Sequence, residues 1–226
     1  MPTSRWPLSG ALARLKARCG APRLPVRDPF AMVLWECCAY LVDDARRARV
    51  YARLRKATGG RPERIAGKPR GALAELIAAD GGMQPAMRAE KLQRAANLAI
   101  ELGGPAALAS LCRKDPARAR RALKRFPGIG DPGADKILMV AGSLATLAPE
   151  SNGARVLLRL GFGSAAASYD RMYRSVVAAT AAELPARSAD RIAAHLLLRR
   201  HGKTLCKAGV PDCPACPLAA RCPGAR

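Results

Sequence analysis

Apolar residues return at three- and four-residue steps along almost the whole chain, the spacing that gathers them on one face of an α-helix. On that period the sequence predicts helices at Leu8–Arg18, Pro29–Val42, Asp44–Thr58, Ala72–Ala79, Pro85–Leu102 and Pro105–Cys112. It predicts further helices at Pro116–Arg125, Gly133–Leu144, Ala154–Leu160, Ala165–Ala182 and Ser188–Arg200. No stretch alternates with the two-residue period of a strand, so the expected class is all-α. The clusters Gly59-Gly60-Arg61-Pro62 and Asp80-Gly81-Gly82 read as loops between helices and not as interdomain linkers, because patterned sequence resumes directly after each. No heptad, tandem repeat or low-complexity tract is present.

At 226 residues, half of them hydrophobic, the chain is long enough to bury one large core or two modest ones. The most apolar run, Pro29–Val42, carries Glu36 and falls short of a membrane span, so the expectation is a folded protein with no place in a membrane. Its amino-terminal stretch lacks the apolar core of a signal peptide, which points to the cytoplasm. Charge sharpens the picture. With 39 Lys and Arg against 17 Asp and Glu, a formal net charge of +22, the protein sets up a field that draws polyanions, nucleic acid first among them. Arginine bias in a GC-rich coding sequence is the plainer explanation of the same numbers. An aromatic content of 4% argues against a base-stacking platform of the kind used on single strands.

The densest chemistry lies at the end of the chain. Cys206, Cys213, Cys216 and Cys222 are spaced C-x6-C-x2-C-x5-C, which brings four soft ligands within reach of one centre. A disulfide framework suits a secreted chain better than this one. Zinc sites more often use two short C-x2-C pairs, and only Cys213 and Cys216 make one; an iron-sulfur cluster satisfies the same four thiolates. A second feature, Phe126-Pro127-Gly128-Ile129-Gly130, stands between two helices. Its glycines allow a tight turn that a partner can approach closely, Ile129 would pack inward, and the exposed start of the next helix offers unpaired N–H groups suited to a phosphate.

Taken together, Phe126 to Ala134, Pro29-Phe30 opening an apolar helix, and the tail from His201-Gly202-Lys203 to Cys222 resemble the endonuclease III branch of the helix-hairpin-helix DNA glycosylases. The resemblance runs from about Pro29 to Cys222. It implies a two-domain helical architecture: a six-helix barrel over 29–145, with the helix-hairpin-helix at about 116–144, and a cluster domain made of 1–28 and 146–226. It further implies a 4Fe-4S cluster on Cys206, Cys213, Cys216 and Cys222. The partner would be double-stranded DNA, bound by a monomer across the cleft between the domains, with Pro127, Gly128, Ile129, Gly130 and Lys136 as contacts.

Departures from the family pattern matter equally. Where bifunctional members carry the lysine that forms a Schiff base, two residues beyond the second glycine, this chain has Pro132, which has no amine. Lys136 lies one turn further on and is the candidate surrogate. The family's catalytic aspartate maps to Glu150, whose carboxylate would stabilise an oxocarbenium-like sugar and orient water; the alternative is a helix-supporting residue. Glu36 interrupts an apolar run at an offset resembling the base-protonating glutamate of adenine-excising relatives. Burial would raise its pKa and suit a general acid, whereas pairing with Arg46 or Arg47 would make it structural. Leu41 replaces a glutamine of endonuclease III, Asp43 and Asp44 are read as caps, Trp35 as core, and His195 and His201 as structural. Lys207 and Arg221 are possible phosphate contacts, with Asp212 opposing them in the cysteine loop.

The resulting expectation is a base-excision glycosylase that hydrolyses an N-glycosidic bond without strand cleavage. Its rivals are a catalytically silent DNA-damage-binding iron-sulfur protein, a bifunctional enzyme working through Lys136, and a zinc-bound helical DNA-binding module.

Overall fold

The structure, a computed structural model, describes residues 5–39, 42–80, 83–184 and 187–225. The described residues form twelve α-helices and one short 3-10 turn, with no strand among them. They fall into two compact units, one built from Pro25–Ser143 and one from the two chain ends, Met1–Leu24 with Leu144–Arg226. No single described helix is long and apolar enough to cross a membrane.

The internal unit contains α2 (Pro29–Cys38), α3 (Asp44–Thr58), α4 (Pro62–Ala66), α5 (Arg70–Ala78), α6 (Pro85–Glu101), α7 (Gly104–Lys114), α8 (Pro116–Leu123) and α9 (Asp131–Ala141). Helix α6 is its centre: Leu92, Ala95, Ala96 and Ala99 are fully buried, and the helix packs against α2, α4, α5 and α7. Those alanines leave room for neighbouring helices to come close. The helices packed against α6 contribute Phe30, Leu34, Leu73, Ile77 and Leu108, all buried to within 1%.

Capping fixes where several helices begin. Asp28 accepts from Ala31 N at 2.9 Å ahead of Pro29, Asp43 from Arg46 N at 2.7 Å, and Asp115 from Arg118 N at 2.9 Å. Each carboxylate thereby satisfies one of the orphan N–H groups of a helix start. Asp43 is the cap of α3, as expected, and Asp44 is the first helical residue.

Two sequence expectations are corrected here. Helix α2 stops at Cys38, because Ala39 is already extended at φ −150°, so Val42 is not part of it. Leu41, read as a glutamine replacement, and Gly81-Gly82 of the second turn cluster lie outside the described residues. Pro62, read as loop, instead opens the short helix α4 at its first position, where proline's fixed φ is an advantage.

In the terminal unit, α1 (Leu8–Cys19) and α10 (Ser151–Arg159) pack on α12 (Ser188–Thr204), and α11 (Tyr169–Ala181) packs on α10. Leu8, Leu15, Leu157, Phe162, Val176 and Leu198 are fully buried and form its core. After α12 the chain turns through the cysteine segment and the 3-10 turn Ala219–Arg221.

Candidate functional site

Gly128 holds the turn between α8 and α9 at φ +83°, in the left-handed region where a side chain is disfavoured. Ile129 N donates to Phe126 O at 3.1 Å, closing the turn. Phe126 and Ile129 are 1% and 5% exposed, so the hairpin is pinned from below while Gly128 and Gly130 remain on the surface. A Cβ on Gly133 would lie 3.3 Å from Ile129 Cγ2, which explains a small residue in the first turn of α9. From α2, the Cys37 thiol donates to Pro127 O at 3.3 Å and ties the hairpin to the core.

The acidic residues around this hairpin were not singled out by the sequence reading. Asp131 lies 2.6 Å from Lys124 Nζ and 3.2 Å from Arg120 Nη2, and Asp135 accepts from Arg120 Nε at 2.7 Å. An aspartate directly after the second glycine, followed by another at i+4, was the signal available for an intrahelical-hairpin ion network.

Glu36 and Lys136, one hundred positions apart, are brought into an ion pair, and Arg47 Nη1 donates to the second Glu36 oxygen at 3.1 Å. Burial alone would push the Glu36 carboxyl up, but Lys136 and Arg47 together hold it below the ordinary carboxylate range. Of the two readings of Glu36, the arginine pair is the one seen, and the partner is Arg47 and not Arg46; the raised pKa is not. Lys136 is correspondingly engaged by a protein carboxylate. Arg47 also stands 6.0 Å from the ring of Trp35, which meets Tyr51 edge-on at 5.4 Å.

Glu150 belongs to the terminal unit, at the N-cap of α10. Its Oε1 accepts from Asn152 N at 3.0 Å and Gly153 N at 3.2 Å, and its Oε2 accepts from Asn152 Nδ2 at 3.0 Å. The negative group thus sits on the positive end of a helix. The loop ahead of it is fixed by His195, whose Nδ1 lies 2.7 Å from Ala148 O; since a carbonyl only accepts, Nδ1 carries the proton. Behind it, α10 and α12 touch backbone to backbone. A Cβ on Gly202 would lie 2.5 Å from Asn152 O.

All four terminal cysteines line one pocket, walled by Val156, Leu160, Leu205 and Leu218. No disulfide joins any of the eight cysteines. N–H donors point at two of the sulfurs: Arg159 Nη1 at Cys206 Sγ (3.2 Å) and Leu218 N at Cys216 Sγ (3.4 Å). His201, 2% exposed, places Nε2 3.6 Å from Cys216 Sγ, and its pKa is lowered to about 4 by burial, with Arg18 adding to the effect. Cys222 turns its Sγ to Arg159 O at 3.3 Å. Among the described residues, no three His, Cys, Asp or Glu side chains converge closely enough to hold a single metal ion. The donor set nevertheless fits a thiolate-bound group, because sulfur ligands of this kind are stabilised by N–H donors and a dry wall.

The residues that position this tail were also missed by the sequence reading. Arg155 donates to Cys206 O and Gly202 O, and Arg159, one turn later, to Lys207 O at 2.8 Å. Trp6 Nε1 donates to Leu218 O at 3.0 Å, and the ring lies between Arg14 and Arg221, at 4.4 and 4.9 Å. Arginines four apart on one helix were a visible pattern; the attachment of Trp6 to a segment more than two hundred residues away was not. Lys207 and Asp212 lie in the loop between the first two cysteines, and Asp212 caps the next turn at Ala215 N, 3.2 Å.

No protein-family model and no curated protein sequence matches the chain. Solved structures do. A trapped endonuclease III–DNA covalent intermediate aligns over 95% of this chain and 93% of its own, with 22% identity and a TM-score of 0.71. A thermostable thymine-DNA glycosylase aligns over 96% and 94%, at 18% identity and TM-score 0.71. The 8-oxoguanine DNA glycosylase of Thermotoga maritima covers 84% of this chain and 88% of its own, at 19% identity and TM-score 0.53. Over nearly its full length, this chain has the all-helical fold found in endonuclease III and in the thermostable thymine-DNA glycosylase.

Proposed function

We propose that the chain is a base-excision repair DNA glycosylase, a monomer acting on double-stranded DNA and cleaving the N-glycosidic bond by hydrolysis alone. Its fold is that of proteins described as DNA glycosylases, and its +22 net charge suits a polyanionic substrate. At the hairpin Pro127-Gly128-Ile129-Gly130 the N–H groups left for phosphate are those of Gly128 and Gly130, since Pro127 has none and that of Ile129 closes the turn on Phe126 O. A base targeted for removal would leave the stack before cleavage.

Glu150 is the group we assign to the chemical step. Three hydrogen bonds fix the orientation of its carboxylate, which is what a group needs in order to stabilise a developing oxocarbenium ion and align water. Hydrolysis without lyase activity rests on one observation: Pro132 stands where an attacking amine would be, while the nearest lysine along α9, Lys136, is bound to Glu36. With its amine tied to that carboxylate, Lys136 is engaged within the protein and not free to attack a sugar carbon. Glu36 serves in this reading to fix α2 against α9 through Lys136.

Cys206, Cys213, Cys216 and Cys222 would hold a 4Fe-4S cluster, which supplies a covalent brace for the tail. All four thiols line one pocket, as a single four-thiolate centre requires, and the tail has one short C-x2-C pair where zinc sites more often use two. Iron and acid-labile sulfide in anaerobically purified protein would support this, and a colourless, zinc-loaded, folded protein would refute it.

The test of function is single-turnover cleavage of duplexes carrying oxidised, deaminated or mispaired bases, developed with and without alkali. Strand breaks should require alkali, borohydride should trap no adduct, and Glu150→Gln should lower base release by about 100-fold or more. A second reading is favoured by one feature: both Glu150 oxygens are already engaged, so the carboxylate could be a cap and nothing more. Tight duplex binding with no base release from any lesion, unchanged by Glu150→Gln, would establish that alternative.

A further inference from the structure

The charges around the hairpin are not evenly spent. Arg120 and Lys124 are taken up by Asp131 and Asp135, and Lys136 by Glu36. The opposite side of α8 is different. Arg118, Arg121 and Arg125 follow one another at one-turn steps and line a recess of about 470 Å³ closed by Glu101, Leu102 and Leu111. Of the three, Arg125 pairs with Glu101 at 2.6 Å. Arg118 and Arg121 have no acidic partner among the described residues, and both are exposed. Their helix runs directly into Phe126-Pro127-Gly128.

We propose that this recess is a second phosphate-binding track, continuous with the hairpin, which grips the sugar-phosphate backbone of duplex DNA. The proposal rests on the DNA-binding reading above and adds to it where the cationic contacts lie. Backbone N–H groups at the hairpin supply direction but no full charge, and the cations beside them are neutralised internally. Long-range attraction must therefore come from other cations, and Arg118 and Arg121 are exposed, without an acidic partner among the described residues, and carried by the helix that leads into the hairpin. Guanidinium groups bind phosphate in a forked, two-bond geometry, and the apolar wall suits the deoxyribose face. Arg118 and Arg121, both within α8, are three residues apart, ~4.5 Å along the axis at ~1.5 Å each. Such contacts set register and affinity without reading bases.

The experiment compares three forms of the full-length protein on one undamaged 30-base-pair duplex, by fluorescence anisotropy over a KCl series. They are the wild type, Arg118→Ser/Arg121→Ser, and the control Arg61→Ser/Arg64→Ser. The control removes the same charge from exposed positions on and beside α4. Two lost phosphate contacts should reduce the slope of log Kd against log[KCl] by about 1.8 and weaken binding about 10- to 30-fold near 150 mM salt. The control should move the slope by well under 0.5. Equal effects of the two double variants, or none from the recess variant, overturn the track. Absence of salt-dependent duplex binding by the wild type would instead bring down the DNA reading beneath it.

Discussion

Replacing Gly202 by alanine tests how α10 and α12 hold Glu150 in place. The added methyl would lie 2.5 Å from Asn152 O, 2.8 Å from Asn152 C and 2.9 Å from Asn152 Cβ. Ordinary contact needs roughly 3.4 Å, so the two backbones must separate by several tenths of an ångström. Neither side offers a flexible end to move: two of the three atoms are backbone, in the first turn of α10, and Gly202 lies inside α12. Overpacking of this kind costs about 1–3 kcal/mol and more where backbone must shift; we expect about 3 kcal/mol. For a chain of 226 residues that corresponds to a fall of about 6–12 °C in melting temperature. Function should fall further than stability predicts, because Asn152 supplies two of the three donors to the Glu150 carboxylate. A displacement of about 1 Å at a reacting group can cost about 100-fold in rate. The matched comparison is Gly71→Ala, at a helical position with nothing within 4 Å, which should raise stability by up to about 1 kcal/mol. Calorimetric melting and single-turnover base release measure both. A Gly202→Ala protein with the melting temperature and the rate of the parent would show that the α10–α12 contact does not set the carboxylate.

Glu36 makes stability depend on pH. Its folded pKa lies below the ordinary value of 4.5, so its contribution is complete above that value and disappears as pH falls through the lower folded one. Glu36→Gln should therefore cost about 1–2 kcal/mol at pH 7 in urea unfolding, a difference that shrinks below about pH 4.5; a pH-independent difference would contradict the ion pairs. Lys136→Met should keep the capacity to release a base, and loss of a borohydride-trapped adduct in that variant would reverse our assignment of mechanism. Trp6→Ala removes the bond to Leu218 O and two arginine stacks, for about 2 kcal/mol, and should speed deuterium labelling of the Leu218 and Cys222 amides at least tenfold. Unchanged labelling would mean that the amino-terminal segment does not hold the tail. Ile129→Ala should cost about 2–4 kcal/mol in the internal unit, read by hydrogen exchange at the hairpin amides, with full protection there counting against Ile129 as its anchor.

What the sequence determined by itself is what depends on near neighbours. Helix period, caps such as Asp28 and Asp43, the left-handed turn at Gly128 and the spacing of the four terminal cysteines are local, since each is fixed by dihedral preferences or bonds within a few residues. Tertiary structure decided the electrostatics. Whether the Glu36 carboxyl would be raised by burial or lowered by cations depended on Lys136, one hundred positions away, and on which of two adjacent arginines turned inward. The same holds for Trp6, fastened to Leu218, and for Gly202, whose missing side chain lets one helix lie against another. A pKa and a close contact are sums over everything within a few ångströms, and in a folded chain most of those neighbours are remote in sequence.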